Sequence, residues 1–349
     1  MNIGLVNGNP SWGGGEQWFW DACGALDKRG HRLVLAAKQG TRLYELFCNS
    51  GHPVYTMKGL GQDFAGQNPE VVLCNSGRDL RQLIRSVPKP MDFRVIMRRG
   101  IDRPLNDNFL RRPYWKRLSA ILVNSDATGR TVSQSLPWFP EDRIHRIYNP
   151  VSLDIEARVE PETQAFRIGT VGRLVKQKGI GFLIRAVSRI GKETDWTLTI
   201  AGDGKLRQKL EALAQGFGVG DRCRFLGHVE AIASFYARVD AIVIPSLYEG
   251  FCFVAVEAAL AGLPVIASNA SSLPEIVSDG ETGILVPARH VDALAGAIQR
   301  LAQDREMAES YGKTARQRAA ERFGPSYLHD DLNDFLAMVV HKPPVGKDV

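Results

Sequence analysis

Short runs of apolar, mostly β-branched residues recur along the chain, and longer stretches with apolar residues at helical spacing separate them. A short apolar run bounded by turn residues is typical of a buried strand, and its alternation with helices predicts parallel sheets. In the first half the predicted strands are 3–6, 33–36, 53–56, 71–73, 93–97, 120–123 and 144–148. In the second half they are 167–171, 197–201, 223–226, 241–244, 265–267 and 284–286.

Both halves open with a strand, a glycine-bearing loop and a helix. The loops are 7–15 and 172–179, and the following helices are predicted to end near Arg29 and Ile190. Regularity breaks at 149–152, and the next segment, 154–164, is polar and acidic. We therefore predict an α/β protein with two Rossmann-like domains, 1–155 and 156–325, whose parallel sheets face a central cleft. A terminal helix, 326–349, is predicted from apolar residues at helical spacing: Tyr327, Leu328, Leu332, Phe335, Leu336 and Val339.

Composition supports two ordinary globular domains. The chain has 349 residues, of which 44% are hydrophobic and 23% charged. This length exceeds the usual size of a domain with a single hydrophobic core, and the composition is ordinary for a globular protein. No apolar stretch is long enough to span a bilayer, and the first residues lack the basic flank of a signal peptide. The five scattered cysteines suggest reduced thiols and a cytoplasmic location.

The positive charge is concentrated in the first half. Residues 1–155 carry 21 Lys+Arg against 14 Asp+Glu, or +7, whereas the remaining 23 against 24 give −1. The two halves sum to the net charge of +6. This asymmetry predicts that the first domain meets an acidic ligand or surface.

The segment 245–268 carries the most chemical information. A strand ends at Pro245, a polar loop holds Glu249, and a helix from Phe253 holds Glu257. Backbone amides at a helix N-terminus lack intrahelical partners and favour an anion. The amides concerned are those of Gly250, Phe251, Cys252 and Phe253. Two carboxylates beside an anion site suggest a ligand with both phosphates and hydroxyls, such as a nucleotide sugar.

A second candidate site is the glycine-bounded turn 172–179. Arg173 offers a planar fork of donors and Lys178 a point charge, and both suit a diphosphate. Lys176 is interpreted as a solvated charge. A charged surface loop with no ligand remains the alternative interpretation of this turn.

These residues resemble the signature of the retaining glycosyltransferases of the GT4 family, in which two glutamates stand eight residues apart. Glu249 and Glu257 match the pair, and 172–179 matches the Gly-Arg-Leu…Lys-Gly pattern. The resemblance implies that Glu257 binds the donor ribose and that Glu249 contacts the transferred sugar. It further implies that Arg173, Lys178 and the amides of 250–253 hold the phosphates, with Glu249, Arg173 and Lys178 as the catalytic set.

The same resemblance extends over nearly the whole chain. It implies the GT-B fold, two Rossmann-like domains around a cleft, with the terminal helix crossing back onto the first domain. Packing of that helix on its own domain is the alternative. Further donor contacts are implied for the turns after three strands: Gly14, Gly15, Gly202, Gly227 and His228. Glu16, by contrast, is interpreted as a first-turn helix residue favoured by the helix dipole.

The segment 98–117 is rich in arginine with aromatic residues interleaved. It suits a phosphorylated acceptor or an anionic membrane surface, with a solvated basic face as the alternative. Nucleic acid is not expected, because no RNA-binding motif is present. Many relatives have a histidine after this strand that contacts the transferred sugar, and here Arg98-Arg99-Gly100 replaces it. The predicted acceptor-binding residues are Gly13, Arg98 and Arg99.

The expected activity is transfer of a sugar from a nucleotide sugar, with UDP favoured, to a glycan or glycolipid such as a lipopolysaccharide core. No cofactor and no metal site are expected, because no Asp-x-Asp occurs. The expected location is cytoplasmic or peripheral at the inner membrane face. The alternatives are a nucleotide-sugar epimerase or hydrolase of this fold and a non-catalytic module that binds sugar nucleotides or polyanions.

Overall fold

The computed structural model describes residues 1–88, 91–159 and 163–344, with the backbone alone for 325–329. The chain divides into two compact units, one formed by Met1–Pro150 with Pro325–Val349 and the other by Val151–Gly324. Among the described residues, no helix combines the length and apolar content needed to cross a bilayer.

The described residues of unit 1 form seven parallel strands in the order β3-β2-β1-β4-β5-β6-β7. The strands are β1 (Asn2–Asn7), β2 (Arg32–Ala37), β3 (Val54–Thr56), β4 (Val71–Cys74), β5 (Arg94–Arg99), β6 (Ala120–Val123) and β7 (Ile144–Arg146). The helices are α1 (Gly14–Asp27), α2 (Arg42–Cys48), α3 (Gln62–Ala65), α4 (Gly77–Ser86), α5 (Arg112–Trp115) and α6 (Asp126–Ser135). Successive strand residues face opposite sides, so Ile3 and Leu5 enter one core and Val6 the other.

In the part of unit 2 that the structure describes, six parallel strands follow the order β10-β9-β8-β11-β12-β13. They are β8 (Phe166–Val171), β9 (Trp196–Ala201), β10 (Cys223–Gly227), β11 (Ala241–Ile244), β12 (Val265–Ser268) and β13 (Gly283–Val286). The helices are α7 (Ile180–Val187), α8 (Arg207–Gly216), α9 (Ile232–Tyr236), α10 (Phe253–Leu260), α11 (Leu273–Ile276), α12 (Val291–Gln303) and α13 (Arg305–Phe323). Both faces of β11 are buried, which explains its unbroken apolar sequence.

The last helix, α14 (Pro325–Val340), belongs to unit 1. Leu332, Phe335, Leu336 and Val339 enter the same core as Ile3 of β1. Tyr327 and Leu328 of the predicted apolar stripe lie outside the described side chains. The helical spacing of the four described residues thus corresponds to one buried face.

The predicted α/β architecture with two parallel, Rossmann-like sheets is confirmed, and all thirteen predicted strands are present. The observed helix bounds differ more from the predicted ones than the strand bounds do. The helix predicted to reach Ile190 ends at Val187, and the next residues form turns in which Arg189 N–H donates to the Ala186 carbonyl. Helix α1 begins at Gly14, so Gly14 and Gly15 lie in its first turn instead of the preceding loop.

Candidate functional site

Lys178 and Glu249 form an ion pair at the carboxyl edge of the unit 2 sheet. Lys178 ends a 3₁₀ turn after β8, and Glu249 lies in the loop after β11. Lys178 Nζ is 2.6 Å from Glu249 Oε1, and the Lys178 and Glu249 side chains are 17% and 7% exposed. Burial alone would lower the pKa of Lys178, but neighbouring charges, among them Glu249, raise it overall. The ammonium is therefore charged at neutral pH.

The two loops that carry this pair are joined by hydrogen bonds. Leu247 N–H donates to the Gln177 carbonyl at 2.8 Å, and the Gln177 side-chain amide donates to the Tyr248 carbonyl at 2.9 Å. Gly179 has a φ of 64°, and a Cβ there would lie 2.0 Å from the Pro245 carbonyl oxygen. Only glycine combines this φ with such a close approach, so Gly179 allows the loops to lie against each other.

Two serines complete the surroundings of Glu249. Ser246 Oγ donates to Glu249 Oε1 at 2.7 Å, and Ser272 Oγ donates to the Glu249 carbonyl at 3.3 Å. Glu249 therefore has charged and neutral donors on one carboxylate oxygen. This arrangement fixes the carboxylate before any ligand is bound.

Glu257 lies on α10 and accepts a hydrogen bond from the Tyr236 hydroxyl at 2.7 Å. Tyr236 is the last residue of α9 and is 1% exposed. Burial raises the pKa of Glu257, and the Tyr236 hydrogen bond offsets part of that rise. Tyr236 is a site residue that the sequence analysis missed, because nothing in the α9 sequence signals a partner on another helix.

The N-terminus of α10 holds the predicted phosphate-binding residues 250–253. Cys252 is the N-cap residue and makes no side-chain cap, and Phe251 packs edge-on against Phe253 at 5.4 Å. Burial raises the pKa of the Cys252 thiol to about 12, so the thiol is protonated. This environment suits a small filler and provides no nucleophile.

The turns after β8, β9 and β10 lie side by side at the same sheet edge. Gly202 N–H donates to the Gly227 carbonyl at 2.7 Å, and a Cβ on Gly202 would lie 2.0 Å from the Gly172 carbonyl. Arg173 and His228 are exposed beside these glycines. The structure thus brings the predicted donor residues of unit 2 to one edge of one sheet.

The remaining predicted residues form a separate group in unit 1. Gly13 is the N-cap of α1, and Arg98 and Arg99 end β5. Arg98 is 3% exposed, and its guanidinium donates to Asn149 Oδ1 at 2.8 Å and lies 4.6 Å from the Trp18 ring centre. The expectation that Arg98 belongs to an exposed basic surface is therefore wrong. Burial lowers the pKa of Arg98 to about 10, which leaves it charged at neutral pH.

Glu16 lies in the first turn of α1, as interpreted, but it has further contacts that the sequence did not indicate. It is 3% exposed, and its Oε1 accepts hydrogen bonds from the side-chain amides of Asn7, Asn9 and Asn75 at 3.2, 2.9 and 3.3 Å. The signal available in the sequence was the pair Asn7 and Asn9 in the predicted loop 7–15. The third amide comes from a distant strand end, which local reasoning could not supply.

The exposed part of 98–117 begins after Arg99 and combines apolar and basic side chains. Ile101, Phe109 and Leu110 are 55%, 82% and 63% exposed. Its two acidic residues are engaged, because Asp102 accepts from Thr131 and Asp107 pairs with Arg112 at 2.6 Å. The exposed apolar side chains of Ile101, Phe109 and Leu110 therefore lie in a segment whose remaining charged residues are cations.

Residues 153–318 match the model of the family described as glycosyl transferases group 1. An uncharacterised glycosyltransferase of Methanocaldococcus jannaschii is 36% identical over 53% of this chain and 51% of its own length. A lipopolysaccharide core biosynthesis glycosyltransferase of Rhizobium meliloti is 28% identical over 68% of this chain and 69% of its own. The chain spans about half the length of the first curated relatives that it matches.

Among solved structures, Anabaena HepE in complex with UDP and glucose is similar with a TM-score of 0.79. The similarity covers 97% of this chain and 100% of HepE at 20% identity. At that identity the likeness shows the shared GT-B fold.

Proposed function

We propose that the protein moves a sugar from a nucleoside diphosphate sugar to a glycan or glycolipid acceptor, because residues 153–318 match the model of the glycosyl transferases group 1. The observation that carries the proposal is the Lys178–Glu249 pair, which lies at the edge where α/β sheets bind ligands. A cation for phosphate and a carboxylate for sugar hydroxyls then occupy one site.

In the proposed reaction, the bond between the sugar and the diphosphate breaks and the leaving diphosphate gains negative charge. Arg173, Lys178 and the amides at the N-terminus of α10 stabilise that charge, which is usually the largest catalytic contribution. Glu249 orients the sugar, while Glu257, held by Tyr236, binds the ribose. These protein donors perform the task of a metal, so we propose a metal-independent transfer.

We propose that the configuration at the sugar carbon is retained. The acceptor hydroxyl attacks on the face that the diphosphate leaves, and an oxygen of the departing phosphate takes its proton. This route needs no carboxylate base at the reacting carbon. It is consistent with a Glu249 carboxylate already bound to Lys178 and Ser246.

The donor proposed is a UDP-sugar, since the similar HepE structure contains UDP and glucose. The experiment is a thermal shift series with UDP-, GDP- and ADP-sugars without added metal. Saturation at about 100 times Kd stabilises a protein by about 2.7 kcal/mol, which is a readily measured shift. We expect a shift with UDP-sugars that Glu257→Ala abolishes and Tyr236→Phe, which removes only the hydroxyl, reduces.

A shift with no nucleotide sugar would contradict the proposal. The donor that binds is then incubated with the protein without an acceptor, and the products are analysed. A transferase should slowly release free sugar. An epimerase should instead yield an isomerised donor. Transfer to an acceptor with an inverted linkage would contradict retention.

The proposed acceptor is an anionic glycan or glycolipid of the lipopolysaccharide core type. The Rhizobium meliloti relative is named for lipopolysaccharide core biosynthesis. Unit 1 supplies Arg99, the last residue of β5, as a cation for such an acceptor, whereas the neighbouring Arg98 is buried and bonded to Asn149. Nucleic acid is not proposed as a partner.

We further propose that unit 1 contacts an anionic membrane surface through 101–117, which places the protein at the cytoplasmic face. Phe109 and Leu110 supply the apolar side chains, and Arg111, Lys116 and Arg117 supply the charge. Such a combination is typical of segments that bind at the lipid headgroup boundary. Helix α5, which is part of the same segment, borders α4, because the Arg85 guanidinium donates to the Tyr114 hydroxyl at 2.8 Å.

Replacing Phe109 and Leu110 by serine should lower binding to vesicles containing phosphatidylglycerol at least tenfold. Burying each such apolar side chain is worth about 1.5–3 kcal/mol. Sedimentation with anionic and with pure phosphatidylcholine vesicles measures the effect, and Met338→Ser, at another exposed apolar residue of unit 1, is the control. Equal binding of the double variant and the control would contradict membrane insertion.

A further inference from the structure

Glu16 is a buried carboxylate that the proposed reaction does not use. It lies in the first turn of α1, and a single oxygen, Oε1, accepts all three side-chain amides described above. A carboxylate at 3% exposure is costly unless it is hydrogen-bonded or paired. The three amides meet that need, and they also connect three different segments of unit 1.

The three amides lie at different points along the edge of the sheet where the carboxyl ends of the strands meet. Asn7 is the last residue of β1, Asn75 directly follows β4, and Asn9 is in the exposed loop between β1 and α1. Glu16 therefore attaches that loop to the carboxyl ends of two adjacent strands. Glycine at 15 is part of the arrangement, because a Cβ there would lie 3.2 Å from Asn75 Oδ1.

The connection continues to the buried cation. Arg98 Nη1 lies 3.5 Å from Asn75 Oδ1, at the limit of a hydrogen bond, while Asn75 Nδ2 donates to Glu16. Asn75 thus stands between a buried negative and a buried positive charge, with its amide oriented to suit both. Opposite charges in low-dielectric surroundings interact more strongly than on a surface.

A helix-dipole role alone does not account for these contacts. The dipole favours an acidic residue in any first turn, and Glu45 of α2 is such a residue with an exposed side chain. Glu16 also lies in the first turn of its helix, but it is buried and accepts hydrogen bonds from amides of other segments. Glu45 is therefore a matched control that separates the dipole effect from the contacts of Glu16.

We propose that Glu16 is a positioning residue. It holds the loop 8–13 in place and, through Asn75, it also holds the buried guanidinium of Arg98. Both belong to unit 1, which is the unit proposed to bind the acceptor. The positioning stands on the contacts of unit 1, whereas its effect on turnover rests on the proposed function. Loss of the Glu16 charge should loosen the loop without changing nucleotide binding by unit 2.

The positioning is tested by amide hydrogen exchange of the full chain. The amides of Gly8 and Asn9 donate to Asp79 Oδ1 and Asn7 Oδ1, so their exchange reports the loop. We expect Glu16→Gln to speed exchange in 8–13 at least tenfold and Asn9→Ala, which removes only the loop's own amide, to do the same. In both variants, exchange in unit 2 should match that of the wild type. In Glu45→Gln, exchange in 8–13 should also match that of the wild type. Exchange within twofold of wild type in Glu16→Gln would overturn the proposal.

The functional consequence is tested with UDP-glucose as the probe. Glu16→Gln should lower kcat for its turnover at least tenfold while the Kd for UDP changes less than twofold, and Glu45→Gln should change neither. Faster loop exchange with unchanged kcat would overturn the role in turnover. A wild type that neither binds UDP nor turns over UDP-glucose would instead count against the proposed donor, and the exchange data would still decide the positioning.

Discussion

Replacing Glu249 by alanine is expected to lower kcat by about 100- to 1000-fold, which corresponds to about 2.7–4 kcal/mol of transition-state stabilisation. The change removes the carboxylate proposed to orient the sugar and leaves Lys178, whose Nζ is 2.6 Å away, without its counter-charge. Steady-state kinetics with the donor identified by thermal shift measures kcat and KM separately. Glu309→Ala, at an exposed position of α13, is the control.

The pairing of Glu249 with Lys178 makes a further comparison possible. If the two side chains act as a unit, the effects of Glu249→Ala and Lys178→Met will not add in the double variant. Additive effects would show that the ion pair is structural and that each side chain acts alone. Unchanged kcat in Glu249→Ala would remove Glu249 from the catalytic set.

Replacing Asp240 by alanine should lower the free energy of unfolding by about 3–5 kcal/mol, because breaking a buried ion pair leaves its partners uncompensated. Asp240 is 4% exposed and lies just before β11. Its oxygens accept from Arg158, Arg167 and Arg305 at 2.5, 2.8 and 3.2 Å. Denaturation by urea, followed by circular dichroism, measures the loss.

The control for this prediction is Asp195→Ala, whose partner Arg222 is 2.7 Å away on the surface. Exposed ion pairs are worth at most about 1 kcal/mol, so the control should barely change stability. Equal losses in the two variants would contradict a special role for Asp240. Because Asp240 lies at the opposite end of β11 from the loop that holds Glu249, kcat of the folded Asp240 variant should remain near that of the wild type.

The contribution of Asp240 should also depend on pH. Burial alone would raise its pKa, but hydrogen bonds from Arg167 and Arg158 outweigh burial and lower the pKa to about 2 from its usual 3.8. The unfolded chain therefore takes up the proton first as the pH falls. The stabilisation is complete above about pH 4 and is lost between about pH 4 and pH 2. The stability difference between wild type and Asp240→Ala should shrink over that range.

Strand positions could be predicted because each strand is a short run of apolar residues, and such a run by itself indicates a buried strand. The two unit 2 loops at 172–179 and 245–253 could be identified for a similar reason, since glycines and charges directly follow predicted strands. The sequence did not indicate that Arg98 and Glu16 are buried, because both have charged side chains. A charge is expected to be solvated unless its partners are known, and those partners come from other strands.

By itself, the sequence determined the order of strands and helices and identified loops with the residue types that phosphates and sugars require. Those features depend on neighbours within a few residues. Only the tertiary structure decided which polar groups meet: Lys178 with Glu249, 71 residues apart, and Glu16 with Asn75, 59 apart. Parallel strands bring distant loops to one edge of a sheet, and hydrogen bonds form between whichever side chains arrive there. Pairing of this kind depends on distances in space, which no local pattern of residues encodes.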